Sequence, residues 1–410
     1  MVVQPPAGGD ARAAYLSELA ELVWPAPADA ALRRGGAGGY AVVPSAARPR
    51  LLVPAGARRA AASAIRHSTE AVGVKARLRR RVLAAAFRTG IGPLAFRDRL
   101  VVRAGDEGLD AHLAAVLGGP ALLSMHIGPA RANRKPVLQL LGRRGEALGY
   151  AKLGVDPLTR SLVDAEAAAL AKLATVPLGP VTVAGVLHHG AWRDHALLVQ
   201  SALPVRLPRA APVDATAAER AAMVAVASCL GIRRQEYADS AYARRLTTEI
   251  AALGTRTEAP RLRAALDAVT RTNPQIAFGA WHGDWNGGNS AALADGRVLV
   301  WDWERFDADV PAGFDALHLR LQGAVTRGGA DPLDAARTLL ADADALLGPF
   351  DQPAAGDVAV LYLVELATRY LRDRQAEAGA RLGHVDTWLL PAVEQHLAAN
   401  RGQVGRGAQQ

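Results

Sequence analysis

The chain has 410 residues, half of them hydrophobic and 21% charged, with a formal net charge of +9. That composition is globular, and the length asks for more than one domain or one large bilobal domain. With Cys229 as the only cysteine, an intramolecular disulfide is excluded and a cysteine-built metal site is disfavoured. No apolar run is long enough to span a bilayer, and the N-terminus has no basic segment leading into an apolar one. A cytoplasmic protein without membrane insertion is therefore the expectation.

The positive charge is concentrated. Residues 1–105 hold 17 Arg and Lys against 6 Asp and Glu, so this segment carries the whole excess. Lysine is scarce, which draws the eye to Lys75, Lys135, Lys152 and Lys172.

In chain order, the pattern predicts a short helix around Ala13–Leu22 and then a Pro/Ala/Gly-rich stretch. Tyr40–Val43 and Arg50–Val53 read as strands joined by a proline-containing turn. Ala55–His67 and Val72–Arg88 read as helices. In the second, Val74, Leu78, Val82 and Phe87 are expected on one face, with Lys75, Arg77 and Arg79–Arg81 on the other. After Gly108 come a helix over Leu109–Leu117 and a strand over Ala121–His126. A loop reading IGPARANRK, residues 127–135 with Gly128 and Asn133 in it, then leads to strands over Pro136–Leu141 and Ala147–Leu153. Pro157–Leu173 is helical, and His188–Leu203 supplies two more strands. His188, His189 and His195 lack metal-ligand spacing and read as a surface loop.

From Thr216 the chain reads mainly as helix: Thr216–Leu230, Glu236–Leu253, Pro260–Thr270, a resumption near Phe314, then Asp334–Leu347, Asp357–Glu377 and Val385–Ala399. Cys229 falls in an apolar helix and reads as core. The fold class expected is α+β: a basic N-terminal extension (1–105), a β-rich lobe (106–203), a helical lobe (204–400) and a disordered tail (401–410). A cleft between such lobes is a natural ligand site.

One stretch interrupts the helices. WHGDWNGGNSAALADGRVLVWDWERFD, from Trp281 to Asp307, holds four of the seven tryptophans beside His282, Asp284, Asn289 and Asp302. Asp295-Gly296 signals a two-residue hairpin. In that register Ala294 faces Arg297 and, at the open end, Asn289 faces Asp302. Directly opposed residues have Cβ atoms about 4.5–5.5 Å apart. An amide oxygen and a carboxylate would then meet, a donor pair suited to Mg²⁺ that keeps water and phosphate oxygens as its other ligands. Asp284, across a Gly-rich loop, would supply a second acid. Phosphoryl transfer needs such a set, together with a strand lysine on the phosphates and a helix glutamate to hold it. Lys152 and Glu166 stand in a predicted strand and in the helix that follows it. Backbone N–H groups of the Gly128–Asn133 loop are candidates to lie over phosphates.

His282-Gly-Asp284-x4-Asn289, followed by a hairpin and Val-Trp-Asp302-Trp-Glu304, resembles the aminoglycoside phosphotransferase/choline kinase family of kinase-like enzymes. The resemblance covers roughly residues 110–400. It implies a bilobal protein-kinase-like fold, ATP and Mg²⁺ as cofactors, and transfer of the γ-phosphate to a hydroxyl of a small molecule. It assigns Asp284 as catalytic base, His282 as structural, Asn289 and Asp302 as metal ligands, and Lys152 and Glu166 as the phosphate-binding pair. Gln200–Ala202 would be the linker whose backbone bonds adenine, and Asp315 would anchor the catalytic region. Trp285 and Glu304 are the candidates to line the acceptor pocket.

The chain departs from the family in places. The loop after Asp284 reads WNGG, where the family usually has a Leu/His/Pro-type sequence. Asn286 stands where a protein kinase has lysine, and no Ala-Pro-Glu follows Asp302, which argues against a protein acceptor. Residues 331–400 are acidic, and since the family's helices there help build the acceptor pocket, the resemblance implies a cationic or polyhydroxyl acceptor. The competing reading is a non-catalytic, kinase-like protein that binds an anionic partner through its basic segment; nucleic acid is the weaker form of that idea.

Overall fold

A computed structural model describes residues 11–36, 38–67, 74–103, 107–128 and 134–407. The chain divides into two compact units, residues 1–167 with 184–202, and residues 168–183 with 203–410. The first is built on a sheet and the second mainly on helices, the α+β class read from the sequence.

The strands up to residue 201, in chain order, are β1 Asp29–Arg34, β2 Tyr40–Val43, β3 Leu51–Pro54, β4 Asp98–Arg103, β5 Leu122–His126, β6 Val137–Leu141, β7 Ala147–Gly154, β8 Val181–Thr182, β9 Val186–Trp192 and β10 His195–Ser201. All but β8 form one nine-stranded sheet in the order β1-β4-β2-β3-β5-β6-β7-β10-β9. Side chains alternate across it, as the pleat requires. Val42, Leu52, Leu100 and Leu123 face one way and meet Leu16, Leu19 and Trp24 of the helix Ala11–Val23 and the turn after it. Ala41, Val43, Leu51 and Val53 face the other way and meet the helix Arg58–His67 together with Ala84 and Phe87. Both faces are thus covered.

β1 and β4 escape a reading by alternation, because β1 is half-buried along its length at the sheet edge. They pair with each other from Asp29↔Arg103 to Arg34↔Asp98. Through Leu51↔His126 and Leu52↔Met125 the basic segment is continuous with the rest of the sheet.

The helix Val74–Thr89 corrects one expectation. Phe87 is buried, whereas Leu78 and Val82 are 61% and 63% exposed. Five residues turn a helix by about 140°, so Val82 and Phe87 cannot share a face. The outward stripe runs between the exposed Lys75, Arg79, Arg81 and Arg88. His188, His189 and His195 are another correction: they sit on β9 and β10, not in a loop, and His189 Nε2 lies 2.8 Å from Asp164 Oδ1.

In the second unit β11 Arg233–Glu236, β12 Gln275–Trp281 and β15 Asp307–Pro311 form an antiparallel sheet with β12 central. β13 Ser290–Ala292 and β14 Val298–Val300 form a hairpin, and β8 adds parallel to β14. The helix Ala355–Arg372 is buried over most of its length. The helix Pro212–Ser228 ends just before Cys229, which is half-buried rather than core. The last helix runs from Val385 to Gly407, so the expected tail is helical that far, and residues 408–410 lie outside those described. Among the described residues no helix is long and apolar enough to cross a membrane.

Candidate active site

β12 ends at Trp281, and the chain leaves it through His282 and Gly283 under the control of one buried carboxylate. Asp315, in the first turn of the helix Phe314–Gln322, accepts the His282 N–H (2.7 Å) and the Gly283 N–H (3.1 Å). Burial pushes the Asp315 carboxyl up to about 7, helped by the Asp284 charge and opposed by those two amides and Arg369. Gly283 has φ +88 and is packed against the Arg305 carbonyl, so a side chain there would be both strained and blocked.

His282 is fully buried, and its ring joins the loop after β12 to the hairpin end. Nδ1 accepts the Asp284 N–H at 3.1 Å, so Nε2 carries the proton and donates to the Trp301 carbonyl at 2.9 Å. Burial lowers this histidine to about 4, so it stays neutral in that tautomer at pH 7, although nearby carboxylates pull the other way. Trp285 and Trp303 meet the ring edge-on, with centroids 5.9 and 4.6 Å away. Trp285 is wholly buried; its place fits clamping His282, not lining a pocket open to an acceptor. Glu304 is half-buried.

Asp284 is held at both carboxylate oxygens. Oδ1 is 3.0 Å from His318 Nε2, and Oδ2 accepts Asn289 Nδ2 at 2.9 Å. A carboxylate cannot donate, so His318 Nε2 carries the proton, and Nδ1 accepts the Tyr362 hydroxyl at 2.9 Å. Burial lowers the His318 pKa against the pull of Asp284, so the imidazole is neutral. Burial alone would raise the Asp284 carboxyl, yet the hydrogen bond from His318 and the nearby Arg369 charge hold it well below the usual range. Its side chain is still 43% exposed, and each oxygen keeps a lone pair for an incoming proton.

The hairpin register differs from the sequence reading. Ser290 pairs with Val300 and Ala292 with Val298, which sets Asn289 against Trp301 instead of Asp302. The Trp301 N–H donates to the Asn289 carbonyl at 3.1 Å. The cause is the turn. Leu293 N–H bonds Arg297 O at 2.8 Å, and Gly296, at φ +88, closes a three-residue loop with a bulge. A two-residue turn would have required positive φ at Asp295 as well. Asp302 follows as a non-glycine residue at φ +67, a conformation that costs energy and concentrates at functional sites.

Asn289 spends its Nδ2 on Asp284 Oδ2 and on the Asp284 carbonyl (3.0 Å). That leaves Oδ1 as its acceptor atom, the right donor for a hard cation. Among the described residues no three His, Cys, Asp or Glu side chains are grouped to hold a metal by themselves. A closed cage of such side chains is therefore not formed among the described residues, and a cation at Asn289 Oδ1 would need ligands from outside the chain as well.

In the first unit Lys152 Nζ lies 2.6 and 2.8 Å from the two Glu166 oxygens, with side chains 3% and 0% exposed. Lys152 is on β7, between Val137 of β6 and Leu198 of β10. Gln200 is buried within β10; Ser201 at its end donates its N–H to Gly185 O at 2.8 Å; and the chain passes to the second unit at Ala202. Gly128 follows β5, while Asn133 and the rest of that loop lie outside the described residues.

His318, Tyr362 and Arg369 were missed by the sequence reading. Only His318 left a signal: it stands three residues after Asp315 and so shares its helix face.

No family model matches the chain, and no curated protein matches it. Solved structures similar to it include a putative fructosamine-3-kinase from Haemophilus somnus 129PT. That likeness has 13% identity, 70% coverage of this chain and 96% of the other, and a TM-score of 0.39. An aminoglycoside phosphotransferase from Alicyclobacillus acidocaldarius has 14% identity, 66% and 90% coverage, and a TM-score of 0.32. A mutant aminoglycoside 2'-phosphotransferase-IIIa in complex with GDP has 14% identity, the same 66% and 90% coverage, and a TM-score of 0.36. These are small-molecule kinases and phosphotransferases, the kind of protein the catalytic stretch resembles.

Proposed function

We propose that this chain is an ATP- and Mg²⁺-dependent phosphotransferase that moves the γ-phosphate to a hydroxyl of a small molecule. Amino sugars, sugars, amino alcohols and natural-product intermediates are the acceptor classes. The observation that carries the reading is Asp284: a carboxylate kept ionised, fixed at both oxygens by His318 and Asn289, and still open to solvent. In this reading Asp284 takes the acceptor's proton. Asn289 and Asp302 would hold the metal, which supplies charge neutralisation on the phosphates. Lys152, fixed by Glu166, would meet the phosphates, and the backbone near Gln200–Ala202 would meet the base. Glu304 remains the candidate acceptor contact.

The test is transfer of labelled γ-phosphate to a panel of those acceptors. Removing a general base typically costs 10²–10⁴-fold. Asp284→Asn should therefore slow transfer at least about a hundredfold in protein that a cooperative melt shows to be folded, and unaltered transfer would reject the assignment.

One observation favours a second role, binding of an anionic partner by the basic segment. Leu78 and Val82 face outward between Lys75, Arg79, Arg81 and Arg88. Retention of the protein on an anionic matrix that survives high salt would count against it.

A further inference from the structure

The WNGG loop departs from the family pattern, and its two glycines, Gly287 and Gly288, are exposed. The helix Phe314–Gln322, which carries Asp315 and His318, passes directly into a π-turn over Gly323–Arg327. The turn is closed by a 3.0 Å bond from Gly328 N–H to Gly323 O. Such turns are rare, disturb helix geometry, and recur at functional sites.

Here the turn brings Arg327 onto the catalytic loop. Its guanidinium carbon lies 3.1 Å from where a Cβ would stand at Gly287, and its Nη2 lies 3.2 Å from that position at Gly323. A Cβ at 287 would collide with Nη1. The guanidinium thus lies against two glycines from separate segments. Arg305 and Arg369, also near this loop, are spent on Asp373 and the Gly283 carbonyl. Arg327 has no acidic partner among the described residues and is exposed, and the Gly287 amide meets no acceptor there.

We propose that Arg327 and the Gly287 amide form an oxyanion subsite at the edge of the catalytic loop, contacting a phosphoryl or carboxylate group of a bound substrate. A guanidinium is always charged and presents its donors as a planar fork that matches such groups. Asp284, three residues before Gly287, would repel an anion, and an uncommitted arginine offsets that. Two sources carry this chemistry: the transferred phosphoryl group of a nucleoside triphosphate, and an anionic group on the acceptor. The subsite's place in catalysis rests on the phosphotransferase reading, but its binding test does not.

The test is calorimetry on wild type, Arg327→Gln and Gly287→Ala. The probes are Mg-ATP, Mg-ADP and inorganic phosphate, the last with and without Mg-ADP. Because Arg327 is exposed, Arg327→Gln should melt as wild type does. Gly287→Ala displaces the guanidinium without removing its charge and should shift binding in the same direction. A loss of at least tenfold for ATP with ADP unchanged places the transferred phosphoryl group on Arg327. Unchanged nucleotide binding, with phosphate binding present in wild type and lost in Arg327→Gln, places the acceptor's anion there. Arg327-dependent phosphate binding by a wild type that binds no nucleotide supports the subsite and removes the phosphotransferase reading. Equal binding of every probe by wild type and variants, or an equal loss for ATP and ADP, overturns the subsite.

Discussion

At Asp284 the chemistry depends on what surrounds one carboxylate. The linear motif from His282 to Asn289 gives away the acid, its amide neighbour and the histidine that fixes the loop. It cannot show His318 or Tyr362, which arrive on helices 34 and 78 positions further along the chain. Tyr362 donates to His318, and His318 donates to Asp284, so the tyrosine sets the imidazole and the imidazole sets the carboxylate. Tyr362→Phe strips a buried acceptor of its donor, and urea denaturation should show a loss of about 1–3 kcal/mol. The pH dependence has a definite sign. Because the folded-state pKa of His318 is lowered, the unfolded chain takes up a proton that the folded one refuses. Stability from this group is therefore present above about pH 6.5, the ordinary histidine value, and falls as pH drops below it. His282 acts in the same sense, and Asp315, whose pKa is raised, in the opposite one. Substitution isolates the His318 share: between pH 7.5 and 5.5, His318→Gln should lose less stability than wild type. An equal loss in the two proteins would mean that His318 is not held neutral.

The elements were easier to locate than to align. The helix Pro157–Leu173 and the strand β7 were legible from apolar spacing, and with them the chance that Lys152 and Glu166 meet. The hairpin was legible too, but its register was not. Asp-Gly suits both a two-residue turn and a three-residue loop with a bulge, and the local sequence does not separate them. One residue of slip moves Asn289 from Asp302 to Trp301. The Lys152–Glu166 pair makes a sharper prediction. Lys152→Ala leaves a charged, wholly buried Glu166 and should cost about 3–5 kcal/mol in denaturant. The double variant Lys152→Met with Glu166→Leu should be close to wild type in stability, yet should bind Mg-ATP at least tenfold more weakly. Equal destabilisation of single and double variants would show that the pair is not the buried unit described here.

Across the whole molecule, the sequence showed two differently built parts and a charge excess confined to the first quarter. It did not show that this quarter is woven into the sheet. β1 and β4 have few buried apolar residues of their own, and their pairing partners lie far apart in sequence, Asp29 opposite Arg103. Removing residues 1–105 would take away β1 to β4 and lay open the edge of β5, along with the apolar faces of the sheet. Such an edge is an aggregation hazard. The truncated chain should therefore be insoluble or lack a cooperative melt by circular dichroism; a soluble, cooperatively melting product would show the segment to be separable. If phosphoryl transfer occurs at Asp284 with a metal held by Asn289 and Asp302, nucleotide binding has to depend on the metal and on Asp302. Calorimetric titration of ATP with and without Mg²⁺, on wild type and Asp302→Asn, tests it most directly. Binding should require Mg²⁺ and weaken at least tenfold in the variant. ATP binding that ignores both the metal and the substitution, or no nucleotide binding at all, would contradict it.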